Sequence, residues 1–402
     1  MSMESSSSKD ILDEIFSKAI MGRTLFKNPE ALRSDYVPDK LLFRERQITS
    51  VAEVLAPILH GSRCSNLFLY GKTGTGKTAV SKYVLKRLEE KALSIGVPVK
   101  FSYCNTRILG TEYRVLSEIA RSIQLEIPFT GLALGEVFER ILKRIDNSKL
   151  GVVIVLDEID FLVKNFGDNL LYEFTRANER LEHGFITIVG ISNDLKFKEF
   201  LDPRVLSSLS EEEVVFPPYT AEELKAILQD RAEVAFFKDA ISTTAINLCA
   251  ALAASEHGDA RRALDLLRVA GEVAEREGAS CVEEKHVRIA VQKIEQDRVV
   301  EVLRSLPLHD KLVLLAVAVS GPANSTGEVY QRYLALCRKI DLEPLTQRRV
   351  SGLLSGLDVL GLVSAATVSR GRYGRTKKIS LLIPNQLIRD VFQEDPTVNA
   401  LI

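Results

Sequence analysis

The chain has 402 residues, with 53 Lys+Arg against 54 Asp+Glu and a formal net charge of −1; 46% of it is hydrophobic, as in an ordinary globular protein with two or three domains. Near-neutrality excludes a surface-wide polyanion binder, so any nucleic-acid site must be local. The longest apolar run, residues 312–319, is too short to span a bilayer, and five scattered cysteines (Cys64, Cys104, Cys249, Cys281, Cys337) with no CxxC pair fit the reduced thiols of a cytosolic protein.

The N-terminal "MSMESSSSKD" is polar and reads as a disordered lead-in, not a signal peptide; residues 1–35 are set apart as an extension. Chemistry begins with "NLFLYGKTGTGKTAV", a short apolar strand, a glycine loop and the start of a helix. Gly71 to Thr78 match G-x-x-x-x-G-K-[ST] in the strand–loop–helix context that the motif requires. Gly71, Gly74 and Gly76, with Lys72, Thr73 and Thr75 between them, let consecutive N–H groups turn onto a triphosphate. Lys77 reaches the outer phosphates at the helix N-terminus, and Thr78 offers a hydroxyl to Mg²⁺. After a second strand, "CNTRILGTEYRVLSEIARSI" lacks the aromatic-apolar-glycine triplet of a protein-unfolding pore loop, but it carries Arg107 and Arg114.

"VVIVLDEID" is a fully apolar strand that suits the centre of a parallel sheet covered on both faces. Asp157 at its end can hold the metal's water shell, and Glu158 can polarise the attacking water. A lone Asp-Glu would fit a helix N-cap equally well; its pairing with the glycine loop distinguishes the two. The strand "GFITIVGISN" ends in Asn193, which either bonds the γ-phosphate or starts a turn. "LDPRVLSSL" puts Arg204 on a short element that can face a neighbouring subunit, and "EHGDARRALDLL" puts Arg261 and Arg262 at a helix start; solvated arginines are the alternative for both.

From Thr220 the pattern turns wholly helical, with apolar positions three and four apart, and predicts a small lid. After Asp297 come three helical stretches, "LHDKLVLLAVAVS", "STGEVYQRYLALCRKI" and "TQRRVSGLLSGLDVLGLV", then two strand-like runs, "LVSAATVS" and "KKISLLI". Three helices and a β-hairpin make a winged-helix pattern whose wing tip is "RGRYGRT". Residues 346–378 hold seven Lys/Arg against one acid, Asp358, a local +6 in a chain of net −1. Arg348 and Arg349 lie in the first turn of the recognition helix, while Arg370, Arg372, Tyr373, Arg375, Lys377 and Lys378 belong to the wing and suit phosphate and sugar contacts. Charged hairpins and protein-contact winged helices are the competing readings.

The order GKTGTGKT, VLDEID, ISND, DPRVLSSL, FPPYTAEEL and GDARRALD resembles the AAA+ ATPases, and among them the archaeal and eukaryotic origin-recognition and replication-licensing initiators. "DYVPDKLLFRERQI" and "GLALGEVFERIL" carry the likeness further, so that it covers residues 36–392. The resemblance implies an α/β AAA+ P-loop NTPase base at 36–218, a helical lid at 219–296 and an α+β winged-helix domain at 297–402. It also implies that Asn193 is sensor 1, Arg204 the arginine finger and Arg261 sensor 2. Val37, Pro38, Arg44 and Tyr219 would lie near the adenine, and Arg107 and Arg114 on an insertion that touches the minor groove.

The function so implied is an ATP-dependent replication initiator with slow, switch-like hydrolysis, using ATP/ADP and Mg²⁺. Its partners would be double-stranded origin DNA, paralogous initiator subunits and the replicative helicase, with no membrane; its place would be the cytoplasm, on the nucleoid. A winged-helix transcription regulator with a structural nucleotide is the first alternative, although such a site would not need Glu158. A signalling ATPase of the apoptosome type is another, although that class normally carries a downstream repeat array. A helicase or clamp loader without sequence preference is the last.

Overall fold

The computed structural model describes residues 24–33, 36–209, 211–319, 324–369 and 375–401. The serine-rich lead-in, Arg370, Arg372, Tyr373 and the side chain of Arg375 lie outside the described residues. The chain forms two compact units, Met1–Ala290 and Val291–Ile402. Base and lid, separate in the sequence reading, thus share the first unit.

Five parallel strands make the base sheet: β1 (Asn66–Tyr70), β2 (Val99–Asn105), β3 (Gly151–Asp157), β4 (Phe185–Ser192) and β5 (Glu211–Val215), in the order β2-β3-β4-β1-β5. Apolar side chains alternate between two buried layers, which is why the central strands are apolar throughout. In β3, Val152, Ile154 and Leu156 join one core, while Val153 and Val155 join the other. Buried Asn66 fixes the register by donating to the Leu209 carbonyl at 2.6 Å and accepting from the Ile188 amide at 3.0 Å.

Helices α1 (Glu45–Leu55), α2 (Lys77–Ile95), α3 (Thr106–Leu109), α4 (Glu112–Ser122), α5 (Leu134–Asn147), α6 (Ile159–Phe166), α7 (Asn169–Arg176) and α8 (Pro203–Leu209) belong to the base. The lid uses α9 (Ala221–Ala235), α10 (Thr243–Ser255), α11 (Ala260–Arg276) and the start of α12 (Glu284–Ser305), which runs on into the second unit. Its starts are locally encoded: Thr220 and Glu223 form a capping box, and Asp259 accepts from the Arg261 and Arg262 amides at 2.8 and 3.2 Å.

Residues 24–33 pack on this lid, a placement the sequence does not suggest. Phe26 stacks on Phe236 with centroids 4.7 Å apart, and Glu275 accepts from the Leu25 amide at 2.7 Å. Gly271 is required there, since a Cβ would lie 2.3 Å from the Phe26 ring.

The second unit is a winged helix: α13 (Leu308–Ala318), β6 (Asn324–Ser325), α14 (Thr326–Lys339), α15 (Gln347–Val359), β7 (Val363–Ser369), β8 (Arg375–Leu381) and α16 (Asn385–Gln393). The strands pair antiparallel in the order β6-β8-β7. Strand β8 begins at Arg375, two residues earlier than the apolar run suggests, because cross-strand pairing with Ser369 recruits polar residues to the ladder. Lys311 and Asp395 form a 2.6 Å pair that ties α13 to the segment after α16 and holds the Asp395 carboxyl down to about 2. Among the described residues, no helix is long and apolar enough to cross a membrane.

Candidate nucleotide site

A cavity of about 350 Å³ opens at the C-terminal ends of β1, β3 and β4, where an open parallel sheet leaves its crevice, and the lid closes its far side. Gly74, Thr75, Gly76, Lys77 and Thr78 of the glycine loop line it, together with Asp157, Glu158, Asn193, Tyr219 and Arg261. Val37 and Pro38 also line it, whereas Gly71, Lys72 and Thr73 do not.

The loop's geometry demands its glycines. Gly74 has φ +71°, and a Cβ would fall 1.7 Å from an oxygen of Asp259, the cap of α11. The Ala260 amide donates to the Gly74 carbonyl at 3.2 Å, so the lid touches the loop backbone directly. Lys77 is buried at the start of α2 and donates to the Gly71 and Lys72 carbonyls at 2.8 and 2.7 Å. Burial pulls its ammonium down to about 8, against the opposing pull of Asp157.

Thr78 donates its hydroxyl to Asp157 Oδ2 at 3.0 Å, and the Tyr103 phenol donates to the same oxygen. Oδ1 of Asp157 accepts from the Glu158 amide at 3.0 Å. An oxygen-only pair converging beside the phosphate loop is the donor set Mg²⁺ prefers, so the residues fit that ion. Glu158 stands at φ +56°, a conformation few non-glycine residues hold without surrounding constraint. Its carbonyl accepts from the Thr106 hydroxyl at 2.6 Å, and its carboxylate lies 3.5 Å from Arg107.

The other arginines separate. Arg261 lines the cavity, whereas Arg262 turns to Glu256 at 3.1 Å. Arg204 on α8 is 80% exposed, bonds Asp202 and does not line its own chain's cavity. Arg114 donates to the Leu109 carbonyl at 3.4 Å, at the exposed α3–α4 corner. Arg44, expected near the adenine, stands just behind the cavity wall: its buried guanidinium bonds the Thr75 and Pro217 carbonyls and lies over the Tyr219 ring.

In the second unit, Arg348 and Arg349 are exposed in the first turn of α15, capped by Thr346. Lys378 is exposed on β8, and Lys377 donates to the Ser355 hydroxyl of α15 at 2.6 Å.

Tyr103 and Arg231 are cavity residues that sequence reasoning passes over. A tyrosine two residues before the end of a strand carries no mark until β2 is known to pair with β3 in register. Arg231 reads as one more polar position of a lid helix, yet it is buried and donates to the Ala31 and Tyr36 carbonyls.

A parallel sheet in this strand order, a glycine-loop cavity under a helical lid and a winged helix define an AAA+ ATPase with an attached winged-helix unit. Family models agree: an AAA ATPase domain at residues 40–188, a Cdc6 AAA+ ATPase-type lid domain at 225–292 and a CDC6 C-terminal winged helix domain at 301–391. The ORC1-type DNA replication protein of Pyrococcus horikoshii is 52% identical over 97% of this chain and 95% of its own length. That of Thermococcus kodakarensis is 50% identical over 98% and 97%. The Aeropyrum pernix ORC1 protein, solved in complex with DNA, superposes with a TM-score of 0.83 at 52% identity, covering 95% of this chain and 100% of that one. The chain belongs to the family of ORC1-type DNA replication proteins.

Proposed function

We propose that this AAA+ initiator is an ATP-loaded switch that binds double-stranded origin DNA and recruits the replicative helicase. The observation that carries the reading is the convergence of Thr78 and Tyr103 on Asp157, with Lys77, Glu158 and Arg261 around the same cavity. A purely structural nucleotide would not need the Glu158 carboxylate.

The loop amides and Lys77 hold the phosphates. Thr78 and Asp157 would hold Mg²⁺, which when bound shares the charge of the outer phosphates. Glu158 accepts the proton of the attacking water, and Asn193 orients that water or the γ-phosphate. Arg261 brings the lid to the phosphates, and Arg204 reaches toward a neighbouring initiator subunit. Turnover is slow, since a long-lived ATP state serves a switch. Arg107 faces a choice: its guanidinium pairs with Glu158 here, so an Arg107 drawn to a DNA phosphate leaves Glu158 free.

The winged helix engages DNA through Arg348 and Arg349 in the major groove and through the wing residues and Lys378 on the backbone. The protein works in the cytoplasm, on the nucleoid. Footprinting on the organism's own genomic DNA with ATP, ADP and no nucleotide tests the reading. An ordered, nucleotide-dependent array at one locus is expected, and uniform protection of all DNA would replace origin recognition with a non-specific motor.

A further inference from the structure

Arg44 is 2% exposed, and it forms no ion pair with a carboxylate among the described residues. It is satisfied by three backbone carbonyls instead. Nε donates to Thr75 in the glycine loop at 2.8 Å, one terminal nitrogen to Phe43 at 2.8 Å and the other to Pro217 at 2.7 Å. The guanidinium also lies 3.7 Å over the centroid of the Tyr219 ring, the residue before the cap of α9. Tyr219 in turn crowds the loop: a Cβ on Gly76 would lie 2.8 Å from its hydroxyl. A buried cation without an anionic partner is costly, and only the planar fork of arginine reaches three such carbonyls at once.

The three anchored segments are the glycine loop, the entry to α1 and the connection from β5 to the lid. Pro217 has no N–H and Pro218 follows it, so that connection offers few bonds of its own. Its flanking amides are held elsewhere: Phe216 donates to the Tyr70 carbonyl at 2.7 Å, and Tyr219 to Gly258 at 3.3 Å.

We propose that Arg44 is a positioning residue that joins the glycine loop, the lid connection and Tyr219 into one piece, so that phosphates seated in the loop set the position of the lid. This rests on the nucleotide reading above and goes beyond it. Arg44 does not line the cavity and acts through the loop and Tyr219.

The test measures MgADP affinity by calorimetry and nucleotide-induced hydrogen-exchange protection in the full chain, for Arg44→Met, Arg44→Lys and Lys77→Ala. Arg44→Met is expected to weaken affinity about tenfold, because the loop loses its fixed geometry. It should also abolish the added protection at the Phe216 and Tyr219 amides while leaving that at residues 77–79. Arg44→Lys should not rescue it, since one ammonium cannot span three carbonyls; if Arg44→Met does not fold, Arg44→Lys carries the same comparison. Wild-type affinity and wild-type protection at Phe216 and Tyr219 in either variant would overturn the proposal. Unchanged affinity in Lys77→Ala would instead overturn the nucleotide reading itself.

Discussion

The phosphate cavity and the winged-helix surface both present positive charge, in opposite ways. In the first unit Lys77 is buried, tied to two carbonyls and lowered to about 8. In the second, Arg348, Arg349 and Lys378 stand exposed. A cavity that holds one ligand in one pose needs few cations, already desolvated and aimed. A face that meets a polyanion needs several solvated cations, each replaceable, whose gain comes from releasing counterions. The cavity should therefore fail at a single substitution and the face only by degrees.

The largest effect expected is on hydrolysis. Glu158→Gln should keep nucleotide affinity and cut turnover about a thousandfold, because an amide accepts a proton poorly. Phosphate release near the wild-type rate would remove Glu158 from its role and leave the cavity a binding site only. Next, Lys77→Ala should weaken MgATP binding about a hundredfold, the loss of charge-assisted bonds to the outer phosphates. DNA affinity without nucleotide should stay the same, and a parallel fall in DNA binding would erase the contrast between the units.

The wing should behave as a sum. Replacing Arg370, Arg372 and Arg375 together by Ala should flatten the slope of log K against log salt by about 2.7, or roughly 0.9 per lost phosphate contact. Anisotropy titrations should find every DNA sequence weakened alike, whereas Arg348→Ala or Arg349→Ala should relax preference at one base position. An unchanged slope would make the wing a protein-contact surface. The smallest effect belongs to Arg107. Its ion pair with Glu158 is largely exposed on the arginine side and worth at most about 1 kcal/mol, so Arg107→Ala should raise DNA-free turnover no more than about fivefold. A fall in turnover would show that Arg107 supports Glu158 instead of restraining it.

Much of this molecule is legible in the chain because its signals are local. The glycine loop is contiguous, and Gly74 and Gly76 each take a positive φ within it. The fully apolar β3 announces a strand covered on both faces, and caps such as Thr220, Asp259 and Thr346 mark their helices from within four residues. The sequence by itself therefore determined the class of fold, the phosphate loop, the acidic strand end and the basic hairpin. Only the tertiary structure decided what the arginines do. Arg44 bonds Thr75 and Pro217, 31 and 173 residues away, and Glu158 finds Arg107 only because β2 lies beside β3. An arginine's charge is written in its identity, but its backbone-carbonyl partners look alike at every position and carry no sequence signature. Whether such a cation serves a ligand, a neighbouring carboxylate or the fold is set by which distant carbonyls the packed chain brings within reach.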